Sequence, residues 1–203
     1  SNIFPFENAS DAYEMLINDP STIAILLKYK TQEIDKKLKT IKFNHQRNIS
    51  LSNKKTSRIA VIGSGNYASR TLIPSFAKAG ANFHTICDRN GIFSTILGKK
   101  YSFIKSTTDI DSLFSDHECD AIIIATRHDS HADLIIRGLQ SGKDVFVEKP
   151  LCINHKEFNL IKDVYDGKNI LMVGFNRRFS SFIKIIKNEL SLSNSPKVFS
   201  YTC

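Results

Sequence analysis

The stretch from Arg58 to Asp88, RIAVIGSGNYASRTLIPSFAKAGANFHTICD, constrains this chain more than any other. It opens with Ile59-Ala60-Val61-Ile62, an apolar run short enough to be a strand buried on both faces. The run breaks at Gly63-Ser64-Gly65, where two glycines permit a tight turn and leave the backbone amides bare of side chains. Past Asn66 and Tyr67, the residues Ala68, Leu72, Ile73, Phe76 and Ala77 fall at helical spacing. A second apolar run, Phe83 to Cys87, ends at an acid, Asp88. Strand, Gly-x-Gly-x-x-Ala, helix, strand, acid is the order of a dinucleotide-binding βαβ unit.

Each part has a mechanical reason. Gly63 turns the chain off the strand, Gly65 lets a pyrophosphate approach the backbone, and Ala68 keeps the helix near the sheet. The helix start, reached through Ser64, Asn66 and Tyr67, offers unpaired N–H groups and a partial positive charge to phosphates. Asp88 is placed to accept hydrogen bonds from adenosine ribose hydroxyls. A carboxylate there repels a 2′-phosphate and favours NAD, while Arg89 beside it could bind that phosphate and leaves NADP open. An S-adenosylmethionine-binding methyltransferase is the nearest rival, but its usual third glycine is absent.

At 203 residues the chain can hold one full domain with length left over. No apolar run approaches the roughly 18 residues of a membrane span, and no basic-then-apolar leader opens the sequence, so no membrane partner is expected. The four cysteines show no C-x-x-C spacing and suit a reducing cytoplasm. The net charge of +8 is concentrated between Lys28 and Arg58. With only Tyr29 and Phe43 as aromatics and no recognition motif, that run reads as a solvated linker rather than a nucleic-acid site.

Residues 1–30 read as a helix–strand appendage: Ala9, Tyr13, Leu16 and Ile17 form a helical stripe capped by Asn8 or Ser10, Pro20 stops it, and Thr22 to Leu27 suits a strand. Residues 31–57 read as a basic polar linker with a short helix over Gln32 to Lys39. From Arg58 to about residue 190, strands and helices alternate. The helices lie at Ile92 to Lys100, at Asp109 to Phe114, around Leu134, Ile135 and Leu139, and around Phe158, Ile161 and Val164. The strands lie at Phe103-Ile104, Ala121 to Ala125, Asp144 to Val147 and Asn169 to Val173. That alternation predicts an α/β fold, a doubly wound, mostly parallel Rossmann sheet covered on both faces. Thr126 and Arg127 then line the cofactor cleft at the end of the fourth strand. His128 and His131, three apart, invite a metal reading, but no third ligand is near and no metal is expected; His131 reads instead as a residue that caps or packs at the helix start, close to the cofactor.

Two resemblances add to this reading. FPFENASDAYEMLINDPSTIAILLKY resembles the last helix and strand of a zinc-type, medium-chain alcohol dehydrogenase, which implies a piece of a fused two-part oxidoreductase. DAIIIATRHDSHADLIIRGLQSGKDVFVEKPL resembles the glucose–fructose oxidoreductase and inositol dehydrogenase (Gfo/Idh/MocA) family. Its hallmarks stand here as Ala125-Thr126, His131-Ala132, Gly142 to Pro150, and the later Gly174-Phe175-Asn176-Arg177-Arg178-Phe179. The resemblance implies hydride transfer between a nicotinamide cofactor and a hydroxyl of a sugar, cyclitol or sugar nucleotide. It places Lys149 of Glu148-Lys149-Pro150 at the reacting hydroxyl, as a half-buried acid/base tuned by Glu148, and brings Asn176 and Arg178 toward the nicotinamide. It also implies a further substrate domain. Residues 191–203 are read as its start, with a first strand at Lys197 to Thr202 able to pair copies of the chain into a homo-oligomer. On that reading the chain is a cofactor-binding piece, inactive alone, and the alternative is a non-catalytic NAD-binding sensor or interaction module.

Overall fold

The computed structural model describes residues 2–29, 39–44, 56–192, 195–198 and 200. The chain divides into two units, 1–38 and 39–203. In the first, strand β1 (Asn2–Pro5) and strand β2 (Ile25–Lys28) pair in parallel, joined through helix α1 (Ala9–Asn18). Asn8 is the N-cap, without a side-chain bond, and Asp19 accepts from the Ser21 amide and hydroxyl and from Thr22 just past the helix end. The expected stripe is not what this helix buries: Ala12 turns inward, while Tyr13, Leu16 and Ile17 stay exposed. β1, which no periodicity announced, supplies β2 with its partner. The helix proposed over Gln32 to Lys39 lies, but for its last residue, outside the described residues.

The second unit is a seven-stranded sheet in the order β3-β6-β5-β4-β7-β8-β9. Its strands are β3 (Thr40–Lys42), β4 (Arg58–Ile62), β5 (Asn82–Cys87), β6 (Lys105–Thr107), β7 (Ala121–Ile124), β8 (Asp144–Val147) and β9 (Leu171–Val173). All neighbours run parallel except β3, which pairs antiparallel with β6 at the edge. The helices are α2 (Ile73–Lys78), α3 (Gly91–Lys100), α4 (Asp111–Phe114), α5 (His131–Gln140), α6 (His155–Val164) and α7 (Ser181–Ser191). Apart from β3, the strand order is that of a Rossmann sheet, whose switch point lies between β4 and β7.

The strands are apolar on both faces because helices cover both. Ala60, Ile62, Ile122, Ile124, Val145 and Val147 face Leu134, Ile135 and Ile161 on one side. The alternate residues Val61, Ile86 and Ile123 face Ala68, Leu72, Ile73 and Leu97 on the other. A period of two sends neighbours to opposite faces, so each strand feeds two cores. Burying side chains of this size stabilises by about 1.5–3 kcal/mol each.

Three local differences from the sequence reading have physical causes. The strand expected at Phe103-Ile104 lies slightly later, at Lys105–Thr107: the Phe103 amide turns back to Gly98 O (2.9 Å) while its buried ring stacks on Phe83 at 4.4 Å, and the first bond toward β5 is from the Ile104 amide to His84 O (2.9 Å). Residues 40–42, read as linker, form β3, because Thr40 and Thr107 share a 2.8 Å hydroxyl bond and their backbones pair. The strand expected at Lys197 to Thr202 is absent among its described residues, 197, 198 and 200. Among the described residues no helix is long and apolar enough to cross a membrane.

At the N-terminal ends of the central strands lies a buried polar cluster. Lys143 Nζ donates to the carbonyls of Asp116 (2.7 Å) and Cys119 (2.8 Å), and Lys105 Nζ donates to Asp116 Oδ2 at 2.7 Å. Burial holds the His84 imidazole below its usual pKa. Burial, with the Asp116 charge adding to it, pushes the Cys119 thiol up to about 11. Desolvation would raise Asp116, but the bonds from Lys105 and the Glu118 amide outweigh it and hold the carboxyl below its usual range.

Candidate functional site

The opposite, C-terminal ends of the strands carry the glycine turn. Gly63 has φ of +101°, and a Cβ there would lie 2.4 Å from the Ala125 carbonyl oxygen, so no other residue fits. Its amide donates to Cys87 O on one side (2.8 Å), while the Ala125 amide donates to Ile62 O on the other (2.9 Å). The turn is thereby seated at the point where the chain's crossovers diverge. At Gly65 the case differs: a Cβ would meet nothing within 4 Å. The space before it is open, which is the fit a pyrophosphate needs at the start of the helix that runs through a π-type turn (Ala68–Leu72) into α2.

Asp88 stands at the end of β5, but it is already engaged. Its Oδ2 accepts from the Ser64 amide (2.6 Å) and hydroxyl (2.7 Å), and its Oδ1 accepts from the Asn90 amide (2.7 Å). A carboxylate has about four acceptor positions, so Asp88 braces the glycine turn and keeps capacity for a ribose hydroxyl. Arg89 beside it is exposed.

A cavity of about 420 Å³ opens along four strand ends. Its wall contains Tyr67 beside the glycine turn, Ala125, Thr126 and His128 after β7, Glu148 and Lys149 after β8, and Gly174, Asn176 and Arg177 after β9. Asn176 Nδ2 donates to the Tyr67 hydroxyl at 3.2 Å, joining segments 109 positions apart in the chain. Gly63, Ser64, Gly65, Asn66, Asp88, Arg89, Arg127, His131, Pro150 and Arg178 lie outside this wall.

Lys149 is exposed in the cleft rather than half-buried, and no hydrogen bond or ion pair engages its ammonium among the described residues. The peptide bond to Pro150 is cis. His131, expected to cap or pack at the helix start close to the cofactor, is fully buried there and lies outside the cavity wall. Its Nδ1 lies 2.6 Å from the Pro150 carbonyl and its Nε2 3.3 Å from the Thr126 carbonyl. Carbonyls only accept, so the shorter contact assigns the proton of a neutral ring to Nδ1; that bond ties the start of α5, which follows the loop after β7, to the loop after β8, and Nε2 then donates nothing to Thr126. Thr126 Oγ1 pairs with Ser130 Oγ at 2.7 Å, and Ser130 Oγ donates to Arg127 O, closing that loop while Arg127 itself stays exposed. His128 is exposed, edge-on to His131 at 5.7 Å.

Two wall residues escaped the sequence reading. Gly174 had a usable signal, a glycine directly after an apolar strand; a Cβ there would lie 2.8 Å from Glu148 Oε1. Arg177 stands in the same hallmark segment, but nothing in the sequence told it from Arg178, because side-chain direction in a short turn is not periodic. The neighbouring Arg178, which was chosen instead, lays its guanidinium over the Phe179 ring at 4.9 Å.

The family of oxidoreductases with an NAD-binding Rossmann fold, GFO_IDH_MocA, matches residues 57–177. The chain is 30% identical over 136 residues to an inositol 2-dehydrogenase of Rhizobium meliloti, covering 66% of this chain and 41% of that protein. It is 29% identical over 148 residues to a scyllo-inositol 2-dehydrogenase (NAD(+)) of Bacillus subtilis, covering 71% and 43%. Among solved structures it resembles myo-inositol dehydrogenase from Lactobacillus casei in complex with NAD(H) and myo-inositol, with a TM-score of 0.63, 25% identity, and coverage of 68% and 42%. The chain thus spans about two fifths of the length of these relatives. The family match begins at residue 57, and the likeness of residues 1–30 to a zinc-type alcohol dehydrogenase finds no support in these comparisons. The expectation of a piece inactive for want of a substrate domain does not hold either. The strand read as the start of that domain, Lys197 to Thr202, is absent among the described residues there, and residues 57–177 match the NAD-binding oxidoreductase family. This chain belongs to the Gfo/Idh/MocA oxidoreductases with an NAD-binding Rossmann fold.

Proposed function

We propose that the protein is an NAD(P)-dependent oxidoreductase that acts on a secondary hydroxyl of a cyclitol or sugar, with Lys149 as its proton-handling group. The observation that carries this is a single one: a lysine ammonium, without a partner among the described residues, in the wall of a cavity that also takes in Tyr67 beside the glycine turn. Bound nicotinamide dinucleotide would supply the hydride acceptor or donor. The glycine turn, Ser64 to Tyr67, would hold its phosphates, and Asp88 its adenosine ribose. Lys149 Nζ takes the hydroxyl proton when it is neutral and stabilises a developing alkoxide when it is charged. Glu148, beside it in the wall, supplies a compensating negative charge. His131, by holding the Pro150 carbonyl, keeps the segment that carries Lys149 in register with the Thr126 loop. The relatives named for inositols make cyclitols the first substrates to try.

The test is reduction of NAD by the chain with myo-inositol, scyllo-inositol and glucose, beside Lys149→Ala. Lys149→Ala should lower kcat by about 10²–10⁴-fold while leaving the NADH dissociation constant close to that of the unaltered chain. Equal turnover by the variant would remove Lys149 from the chemistry. NADP binding tighter than NAD would overturn the preference assigned to Asp88.

A further inference from the structure

The buried cluster at the far end of the sheet contains a set of donors that the dehydrogenase reading does not use. His84 Nδ1, Asp116 Oδ2 and Cys119 Sγ lie 3.6, 3.1 and 3.8 Å apart, taken as His–Asp, His–Cys and Cys–Asp. A point equidistant from these three atoms is about 2 Å from each, which matches the bond lengths of a small dication to nitrogen, oxygen and, slightly out of plane, sulfur. Thr85 Oγ1 is the fourth donor at hand, 2.9 Å from His84 Nδ1 and 3.8 Å from Cys119 Sγ. Tetrahedral bonds of about 2.0–2.3 Å set ligand atoms about 3.3–3.7 Å apart; the His–Asp and Cys–Asp pairs stand close to that, and the His84–Cys119 and His84–Thr85 pairs, at 3.1 and 2.9 Å, open by about 0.4 Å on binding.

The surroundings are arranged as a supporting shell. His84 Nε2 faces Glu118 Oε2 at 3.5 Å, the carboxylate–histidine pairing that orients a metal-binding imidazole through its other nitrogen. Lys143 pins the segment bearing two ligands by holding both the Asp116 and the Cys119 carbonyls. His84 and Cys119 are 1% and 3% exposed, so the site is closed, as structural sites are. One cation already competes: Lys105 Nζ sits 2.7 Å from Asp116 Oδ2. Its side chain is 22% exposed, which gives the ammonium a path to solvent.

The geometry points to a structural zinc site formed by His84, Asp116 and Cys119, with Lys105 as the cation that zinc displaces. Binding forms bonds to Nδ1, Oδ2 and Sγ; the thiol proton passes to solvent and the Lys105 ammonium exchanges Asp116 for water. The ion joins β5 to the segment before β7, across β4, and leaves the cavity at the other end of the strands untouched.

The experiment loads the chelator-stripped 203-residue chain with Co²⁺ and follows the sulfur-to-cobalt charge-transfer band, then displaces it with Zn²⁺. One equivalent per chain is expected, with a raised Tm on Zn²⁺ addition. Cys119→Ser should abolish the band. Glu118→Gln should weaken Co²⁺ binding by about 10–100-fold, and Lys105→Met, which removes the competitor, should tighten it. Absence of the band in the unaltered chain, its survival in Cys119→Ser, or weaker binding by Lys105→Met would each overturn the assignment. The Lys105 arm reads out metal affinity even if the serine variant fails to fold.

Discussion

The two ends of the Rossmann sheet are built from similar materials to opposite effect. At the C-terminal ends, polar groups stand at the mouths of loops and several are left free: Lys149 is unpaired among the described residues, and the space before Gly65 is empty of protein atoms. At the N-terminal ends, every member of the polar cluster touches another, and the two lysines Lys105 and Lys143 are bonded at 2.7–2.8 Å. A buried polar group must be satisfied within the protein, whereas an exposed one can wait for a ligand. The open end therefore leaves polar groups available to a ligand, and the closed end spends its own on holding the fold.

The largest test of this contrast is Gly63→Ala. It combines a left-handed backbone with a contact at 2.4 Å from Ala125 O, so it should cost about 3–5 kcal/mol in urea unfolding. A loss below 1 kcal/mol would mean the turn is not seated as described. Gly65→Ala sharpens the point: with nothing within 4 Å, it should leave stability nearly unchanged yet weaken NADH binding about tenfold or more by filling the phosphate space. Calorimetric titration of that variant separates the two roles.

At the closed end, Lys143→Met should cost about 1–3 kcal/mol, because the carbonyls of Asp116 and Cys119 lose their donor while staying buried. It should leave the NADH dissociation constant alone. An effect on NADH binding larger than on stability would break the division between the ends.

The smallest effect concerns Cys87, next to Asp88. Burial first, then the charges of Asp88 and Asp109, pushes its thiol up to about 12 from 9.0. The folded value lies above the unfolded one, so the unfolded state loses its proton first. Stability from this group is complete below pH 9 and falls as pH rises from 9.0 toward 12. Alkylation at pH 8 should accordingly spare Cys87 and label the half-buried Cys152, as peptide mapping would show.

Much of this was legible in the chain itself. The strand–glycine–helix–strand–acid order of 58–88 announced the fold because buried parallel strands must be apolar and a tight turn under a phosphate must be bare. Lys149, Thr126 and Asn176 could be placed at strand ends by counting apolar runs. What periodicity could not reach was direction: that Arg177 and not Arg178 enters the wall, that Lys149 is exposed, and that His131 turns inward to two carbonyls. Nor could it find β3, whose hydroxyl pairing with Thr107 depends on a residue 67 positions away.

Local sequence determined which segments are strands or helices and where the backbone must be glycine, since those depend on neighbours a few residues apart. Only the tertiary structure decided which polar groups are paired and which are left to meet a ligand. His84, Asp116 and Cys119 look unrelated along the chain and become one cluster because β5 and the segment before β7 start at the same end of the sheet. Satisfaction of a buried polar atom depends on what folding brings within about 3 Å, and the linear order of residues does not carry that distance.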